Sequence, residues 1–348
     1  MQRNDVRLAL PSKGLMQTGA MEFLETCGLK VFRPNPRQYM ATIPNLPGLT
    51  VVFQRPGDIV VSVSQGGVDF GITGLDTLAE KGANNGNNSI LTLHDELGFG
   101  PCSLNLAVPE DTPIHTMADL RKWAQTLVQN GRYLRVATKF PHLTGQFLNQ
   151  HNVHPYKLIP VEGTLEIAPA IGYADIISDL VSSGTTLRDN HLRPIQDGKI
   201  LQSQACLIAN YDALKQRPEV LKMARQLLEI IEAHQRAENS YMITANVRGD
   251  SPETIARRMF NQTSLGGLQG PTIAPIITRQ HNAENTGWFA VTIVVARARL
   301  FRAINELRAI GGSGVIVTPV TYIFEEEPAR YQAMLKNLNR EEPEESER

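Results

Sequence analysis

The feature that most constrains this chain is its rhythm: short apolar runs alternate with helical patterns from residue 6 to residue 210. VRLAL (6–10), LTVVFQ (49–54), VDFGITG (68–74), CSLNLAVP (102–109), RVAT (135–138), KLIPV (157–161) and ADIISDL (174–180) read as strands. Met16, Ala20, Phe23, Leu24 and Cys27 recur at helical spacing, with Ser12 as the expected N-cap and Gly28 as the stop. Asp58 is the expected cap of a helix that runs through Val63 to Gly66-Gly67, and a short helix follows Asp76 before the polar loop NNGNNS. Thr116 and Asp119 have capping-box spacing ahead of a helix over 116–128. Strand–helix alternation of this kind predicts a mostly parallel sheet with helices on both faces.

Two long strands, near 102–109 and 200–210 (KILQSQACLIAN), read as a pair of crossings between two α/β lobes. The first lobe is then discontinuous, 1–104 with 200–225, and the second spans 105–199, with a ligand cleft between them. A helix follows with Val220, Leu221, Ala224, Leu227, Leu228 and Ile231 on one face. Over 226–324 the order becomes β-α-β-β-α-β, a ferredoxin-like unit. The remainder, 325–348, ends in EEPEESER, which has no apolar residue, and reads as a disordered acidic tail.

Several classes of function are excluded at this level. The net charge of −1 gives the chain as a whole no attraction for a polyanion, so a phosphate-rich ligand has to be held by local cations and backbone N–H groups. No apolar run approaches the ~20 residues of a membrane span, and the first residues lack the apolar region of a signal peptide. Three cysteines, odd in number and far apart, fit neither a disulfide framework nor zinc spacing, and a reducing cytoplasm is the expected location. The eight histidines are scattered. No G-x-x-x-x-G-K-[ST] motif is present, which argues against phosphoryl transfer of the P-loop kind but not against ATP in another role.

The chemistry concentrates at 174–190, ADIISDLVSSGTTLRDN. An apolar strand carrying Asp175 and Asp179 breaks into Ser182-Ser183-Gly184-Thr185-Thr186 and restarts as a polar helix. Open α/β sheets bind ligands beyond the carboxyl ends of their strands. A turn of small hydroxyl residues there, with N–H groups bared at a helix start and a glycine allowing close approach, makes a phosphate seat. The same pattern also describes an ordinary capped strand–helix turn. ALPSKG (9–14) places Ser12 and Lys13 at a second strand end, and Arg37 and Arg55 lie in polar stretches near others. Each cation alone reads as a solvated surface residue; ALPSKG could be a second anion site, and Arg37 and Arg55 as a pair on one sheet edge could face a diphosphate.

LALPSKG (8–14), VVFQRPGDI (51–59), GGVDFGITGLDTLAE (66–80), LGFGPCSLNLAVP (97–109), RVATKFPHLT (135–144), EGTLEIAPAIGYADIISDLVSSGTTLRDN (162–190), PTIAPI (271–276) and GGSGVIVTPV (311–320) together resemble the long form of ATP phosphoribosyltransferase nearly end to end. That resemblance implies a two-lobed, periplasmic-binding-protein-like α/β catalytic body followed by a ferredoxin-like (ACT-like) α+β regulatory domain. It implies transfer of the phosphoribosyl group of phosphoribosyl pyrophosphate to N1 of ATP, with Mg²⁺ required, at the first step of histidine biosynthesis. By position, Ser182, Ser183, Gly184, Thr185 and Thr186 would hold the 5-phosphate. Glu166 would lie near the sugar, and Asp175 and Asp179 would face the ribose hydroxyls or the metal, Asp179 by way of the metal-bound pyrophosphate. Lys13, Arg37 and Arg55 would act on the pyrophosphate, and Ser12, Lys13 and Gly74 would contact ATP. Histidine as an inhibitor bound to the regulatory domain, and dimers assembling into hexamers, are further implications.

Leu15 departs from the family pattern, which usually has Arg after PSKG, so one cation toward the nucleotide is missing or replaced. Two other classes share the plan. A prephenate dehydratase-like enzyme would leave the phosphate seat unexplained, and a silent paralogue or pure binding subunit would bind without turnover.

Overall fold

The computed structural model describes residues 5–35, 37–82, 89–161, 163–277 and 287–338. The loop 84–89 falls almost wholly outside them, as do Glu162 and the acidic end 339–348. Two compact units form: Met1–Leu228 with Ala329–Arg348, and Glu229–Pro328.

In the first unit, β1 (Val6–Pro11) leads to α1 (Gly14–Thr26), then β2 (Met40–Thr42), β3 (Leu49–Gln54), α2 (Pro56–Ser64), β4 (Phe70–Gly74), α3 (Leu75–Gly82) and β5 (Ile90–His94). Next come β6 (Cys102–Pro109), α4 (Met117–Gln129), β7 (Leu134–Thr138), α5 (Pro141–Gln150), β8 (Tyr156–Pro160), β9 (Ile176–Val181) and α6 (Thr185–Asp189). The chain continues through β10 (Leu192–Ser203), β11 (Ala205–Asn210), α7 (Tyr211–Gln216) and α8 (Pro218–Ala237), and the boundary between the units falls inside α8.

The strands form two sheets, β2-β3-β1-β4-β11-β5 and β10-β6-β9-β7-β8. In the first, β1 pairs parallel with β3 and β4, while β11 runs antiparallel to both β4 and β5. The carboxyl ends of β1, β3, β4 and β5 therefore share one edge. In the second sheet β7 pairs parallel with β8 and β9, and their carboxyl ends share another edge. The central strands are apolar almost continuously because both faces are covered: Leu8, Ala9 and Leu10 have no exposure. Gly71 in β4 leaves room for Ile59 and Val63 of α2, where a Cβ would collide.

The crossings differ in detail from the expectation. KILQSQACLIAN is two strands in two sheets, broken at Gln204, where the backbone carbonyl accepts from Leu75 instead of continuing a ladder. β6 belongs wholly to the second sheet.

Caps were legible in part. Thr116 Oγ1 accepts from Asp119 N at 3.2 Å and Asp119 Oδ2 accepts from Thr116 N at 3.0 Å, the reciprocal box expected there. Ser12 is not a cap: its N–H donates to Gln54 O at 2.8 Å, and the N-cap of α1 is Lys13. Asp58 lies inside the first turn of α2, whose N-cap is Arg55 followed by Pro56; Pro at N1 has no N–H to satisfy.

The expected disordered tail is corrected for 325–338. α11 (Ala329–Asn337) returns to the first unit and packs against β5, the edge strand of the first sheet. Tyr331, Met334, Leu335 and Leu338 are buried there, and Arg330 Nη1 meets Asp95 Oδ1 at 2.7 Å. A helix laid along an edge strand removes a template for unwanted pairing.

The second unit runs β12 (Ser240–Gly249), α9 (Pro252–Gln262), β13 (Thr272–Ile276), β14 (Gly287–Ala296), α10 (Leu300–Ala309) and β15 (Gly312–Pro319), with sheet order β13-β14-β12-β15. This is the ferredoxin-like topology. Ile243, Ala245 and Val247 alternate inward along β12 and meet Ile255 and Met259 of α9 and Ala303 and Leu307 of α10 in one core. Each buried aliphatic side chain of this size contributes roughly 1.5–3 kcal/mol.

Candidate active site

Consider first the edge formed by β3, β1 and β4. The Ser12–Gln54 bond ties the segment after β1 to the end of β3, so Lys13 and Arg55 emerge side by side, both exposed, each at the N-cap of its helix. Gly74 closes β4 on the same edge, where a Cβ would collide with the Asp76 carboxylate. Arg37 lies just before β2, which is antiparallel to β3, so it too falls at β3's carboxyl end. Arg33, which sequence reasoning passed over, fastens this segment: its guanidinium stacks 4.1 Å over Phe53 and its Nε donates to Gln38 O at 2.7 Å. Leu15, at the expected arginine position, is 88% exposed at the start of α1. This edge gathers Ser12, Lys13, Arg37, Arg55 and Gly74, as the sequence suggested.

The second edge is formed by the ends of β7, β8 and β9. Ser182, Ser183 and Gly184 follow β9, and Gly184 takes φ +73°, a left-handed conformation that costs an L side chain about 1–2 kcal/mol. Within the turn Ser183 Oγ donates to Thr185 Oγ1 at 3.0 Å, and Arg188 Nη2 donates to Thr185 Oγ1 at 3.2 Å. Arg188, four residues beyond the glycine, was also missed; it lays a guanidinium against the turn.

Asp179 sits on β9 three residues ahead of this turn, its Oδ1 accepting from Leu180 N at 2.8 Å. Burial pushes its carboxyl above the usual range; the charge of Glu166 adds to the rise, while that backbone bond and Lys139 oppose it. The charges of Glu166 and of Lys139, the residue just after β7, both act on Asp179. Lys139 had a readable signal, a cation between a strand and the Pro141 that opens a helix. Beneath this edge Thr138, Thr144 and Ser178, all without exposure, form a hydroxyl chain: Thr144 Oγ1 donates to Ser178 Oγ at 2.8 Å and lies 3.3 Å from Thr138 Oγ1. It joins the end of β7, the first turn of α5 and β9.

Asp175 does not join the site. Asp175 immediately precedes β9, whose other end carries the turn, so it stands at the opposite end of the strand from 182–186. There its carboxylate takes Arg135 Nη2 at 2.9 Å and Arg132 Nη2 at 2.6 Å. Burial raises its carboxyl, but the bonds and charge of Arg135, with help from Arg132, outweigh that and hold it below the ordinary value. Its role is structural.

The two edges meet. Glu80 on α3, the helix that begins after Gly74, accepts from His142 N at 2.9 Å and Leu143 N at 3.0 Å in the first turn of α5, the helix that begins after Lys139. One edge offers cations and the other a hydroxyl turn with two carboxylates. Together they suit a ligand carrying phosphate at one end, a sugar in the middle and a diphosphate at the other.

Known proteins share this chain's pattern. The family model described as ATP phosphoribosyltransferase matches residues 55–233, and that described as HisG, C-terminal domain, matches 237–322. ATP phosphoribosyltransferase 1, chloroplastic, from Arabidopsis thaliana is 42% identical over 97% of this chain and 82% of its own length. ATP phosphoribosyltransferase from Gemmatimonas aurantiaca is 33% identical over 90% of this chain and 98% of its own. Among solved structures, the ATP phosphoribosyl transferase (HisG:HisZ) complex from Thermotoga maritima shares the fold over 65% of this chain and 98% of that one, with TM-score 0.50 and 24% identity. By these matches, which take in both units, the chain belongs to the ATP phosphoribosyltransferase family.

Proposed function

We propose that this chain transfers the phosphoribosyl group of phosphoribosyl pyrophosphate to N1 of the adenine of ATP, releasing pyrophosphate, as the first step of histidine biosynthesis. The observation that carries the reading is the left-handed Gly184 turn, flanked by Ser182, Ser183, Thr185 and Thr186, on an edge that Glu80 ties to the one bearing Lys13 and Arg55. The turn seats the 5-phosphate with backbone N–H groups and hydroxyls. Glu166 and Asp179 accept from the ribose hydroxyls. Lys13, Arg37 and Arg55 receive the diphosphate, and Ser12, Lys13 and Gly74 border the space for ATP.

The N1 lone pair of neutral adenine forms the new bond to the sugar C1, and the C1–oxygen bond breaks with its electron pair leaving on pyrophosphate. Forming that bond needs no proton removed, so the reaction does not require a histidine base. What the protein has to supply is alignment and a preorganised positive field where the leaving group gains charge.

Magnesium fits this donor set. Among the described residues no three His, Cys, Asp or Glu side chains cluster. Mg²⁺ commonly keeps water and substrate phosphate as ligands and asks one or two carboxylates of the protein, for which Glu166 and Asp179 are the candidates. When bound it supplies further positive charge at the departing diphosphate.

The second unit is the proposed histidine sensor. A cavity of about 410 Å³, lined by Ser240, Leu265, Gly267, Val295, Arg299 and Arg302 among others, has the size and the cations to take a small carboxylate. A homo-oligomer, from dimer to hexamer, and a cytoplasmic location complete the proposal; among the described residues no helix is long and apolar enough to cross a membrane.

The test is direct. ATP, phosphoribosyl pyrophosphate and Mg²⁺ are mixed with the protein and with pyrophosphatase to draw the reaction forward. An ultraviolet change of N1-substituted adenine, suppressed by histidine, is the expected result. Ligand binding without any such change defeats the enzyme reading in favour of a silent binding subunit, and light scattering of the same sample reads the oligomer.

A further inference from the structure

α3 is eight residues long and carries two buried carboxylates, Asp76 and Glu80, each 5% exposed. Their spacing of four puts them on one helical face. Both bond to elements of the second sheet and its helices. Asp76 N donates to Ser203 Oγ at 2.9 Å and the Ser203 hydroxyl returns the bond to Asp76 Oδ1; Ser203 is the last residue of β10, in the second sheet. Glu80 accepts the two backbone N–H groups of His142 and Leu143, which have no carbonyl partner within α5. A carboxylate at a helix start is held by the aligned N–H groups and by the helix dipole, which offsets the cost of burying it.

The position of this contact is what matters. α3 starts at Gly74 on the edge that presents Lys13 and Arg55. α5 starts beside Lys139 on the edge that presents the Gly184 turn, and its Thr144 hydroxyl is bonded to Ser178, the residue before Asp179. The start of α3 lies at the crossing near 204, where Leu75 N donates to Gln204 O, and Glu80, one turn further along, adds a separate tie that reaches α5 and so joins the two ligand edges.

We propose that Glu80 is a positioning residue: its double bond to the first turn of α5 sets the separation of the two edges that a substrate bridging them requires. The inference rests on the phosphoribosyl reading above and deepens it. A ligand confined to the second edge does not depend on that separation. A ligand reaching from the Gly184 turn to Lys13 and Arg55 does.

The experiment uses the full-length protein with Glu80→Ala and Glu80→Gln, titrated calorimetrically with ribose 5-phosphate and with phosphoribosyl pyrophosphate plus Mg²⁺. Expected for Glu80→Ala is ribose 5-phosphate affinity within twofold of wild type and phosphoribosyl pyrophosphate affinity lowered at least tenfold, with a matching rise in KM. Glu80→Gln keeps the side chain's volume and one acceptor oxygen, so it falls between. Unchanged affinity for phosphoribosyl pyrophosphate in both variants overturns the proposal, as does an equal loss for both ligands, which marks local damage to α5. Should Glu80→Ala fail to fold, Glu80→Gln decides by the same two ratios. Wild-type protein that binds neither ligand, or whose binding ignores Gly184→Ala, removes the functional reading itself, a result distinct from a defect confined to Glu80.

Discussion

Gly184 combines two demands in one residue. Its φ of +73° is a backbone state that alanine occupies only with strain, and an added Cβ would stand 3.3 Å from Arg188 Nη1. Gly184→Ala is expected to cost about 1–2 kcal/mol of stability and to lower kcat/KM by more than about tenfold, since the turn must shift to relax. Steady-state kinetics beside a thermal melt separate the two effects. Arg55 is exposed and forms no ion pair among the described residues, so Arg55→Ala should leave the melt in place while turnover drops at least about tenfold. Wild-type rates in both variants would remove the site assignment. Asp175 makes the opposite prediction. Its carboxyl is held below the unfolded value of about 3.9, so its contribution is full above that pH and disappears as pH falls through the folded value. Asp175→Asn is expected to lose about 1.5–3 kcal/mol at pH 7, with wild type and variant converging below about pH 4, and no effect on substrate affinity. Denaturant melts across that range check it.

At the scale of elements, the return of α11 to β5 is the least expected packing. Tyr331, Met334, Leu335 and Leu338 are buried to within 2% exposure, yet the segment sits beside an acidic end and past a complete ferredoxin-like unit. Truncation after Pro328 should uncover the β5 edge. The gain in apolar burial is offset in part by the entropy of ordering the helix, leaving a net loss of at least about 2 kcal/mol. At roughly 2–4 °C per kcal/mol for a unit of this size, the first unit's midpoint should fall by about 4–8 °C, with more aggregation on heating. An unchanged midpoint would show that α11 contributes nothing. The hydroxyl chain under α5 is the complementary case: Thr138, Thr144 and Ser178 lie in different elements and hydrogen-bond to one another.

For the whole molecule, two separate cores predict two unfolding events. The second unit has its own twelve-residue core around Ile243, Val291 and Leu307. The first unit has cores on both faces of its sheets. Differential scanning calorimetry should resolve two transitions, because a chain of two such units departs from two-state behaviour. Phosphoribosyl pyrophosphate with Mg²⁺ should raise the transition of the first unit more than that of the second, and histidine the reverse. A single transition moved equally by both ligands would contradict that independence.

What the sequence determined alone was whatever depends on near neighbours. Alternation, the Thr116–Asp119 box, the stop at Gly28 and the hydroxyl turn around Gly184 are written in spacings of one to four residues, which set local backbone geometry before any packing occurs. The site's two halves were legible for the same reason, since each lies at the end of a strand whose apolar run can be seen. Tertiary structure decided the rest. Asp175, at the entry end of β9, is taken up by Arg132 and Arg135, which come from 40 and more residues earlier in the chain. The break at Gln204, the docking of α11 and the bond from Glu80 to an amide 62 residues away depend on which surfaces meet. Such contacts form between groups whose local patterns carry no mark of each other, so only the folded chain brings them together.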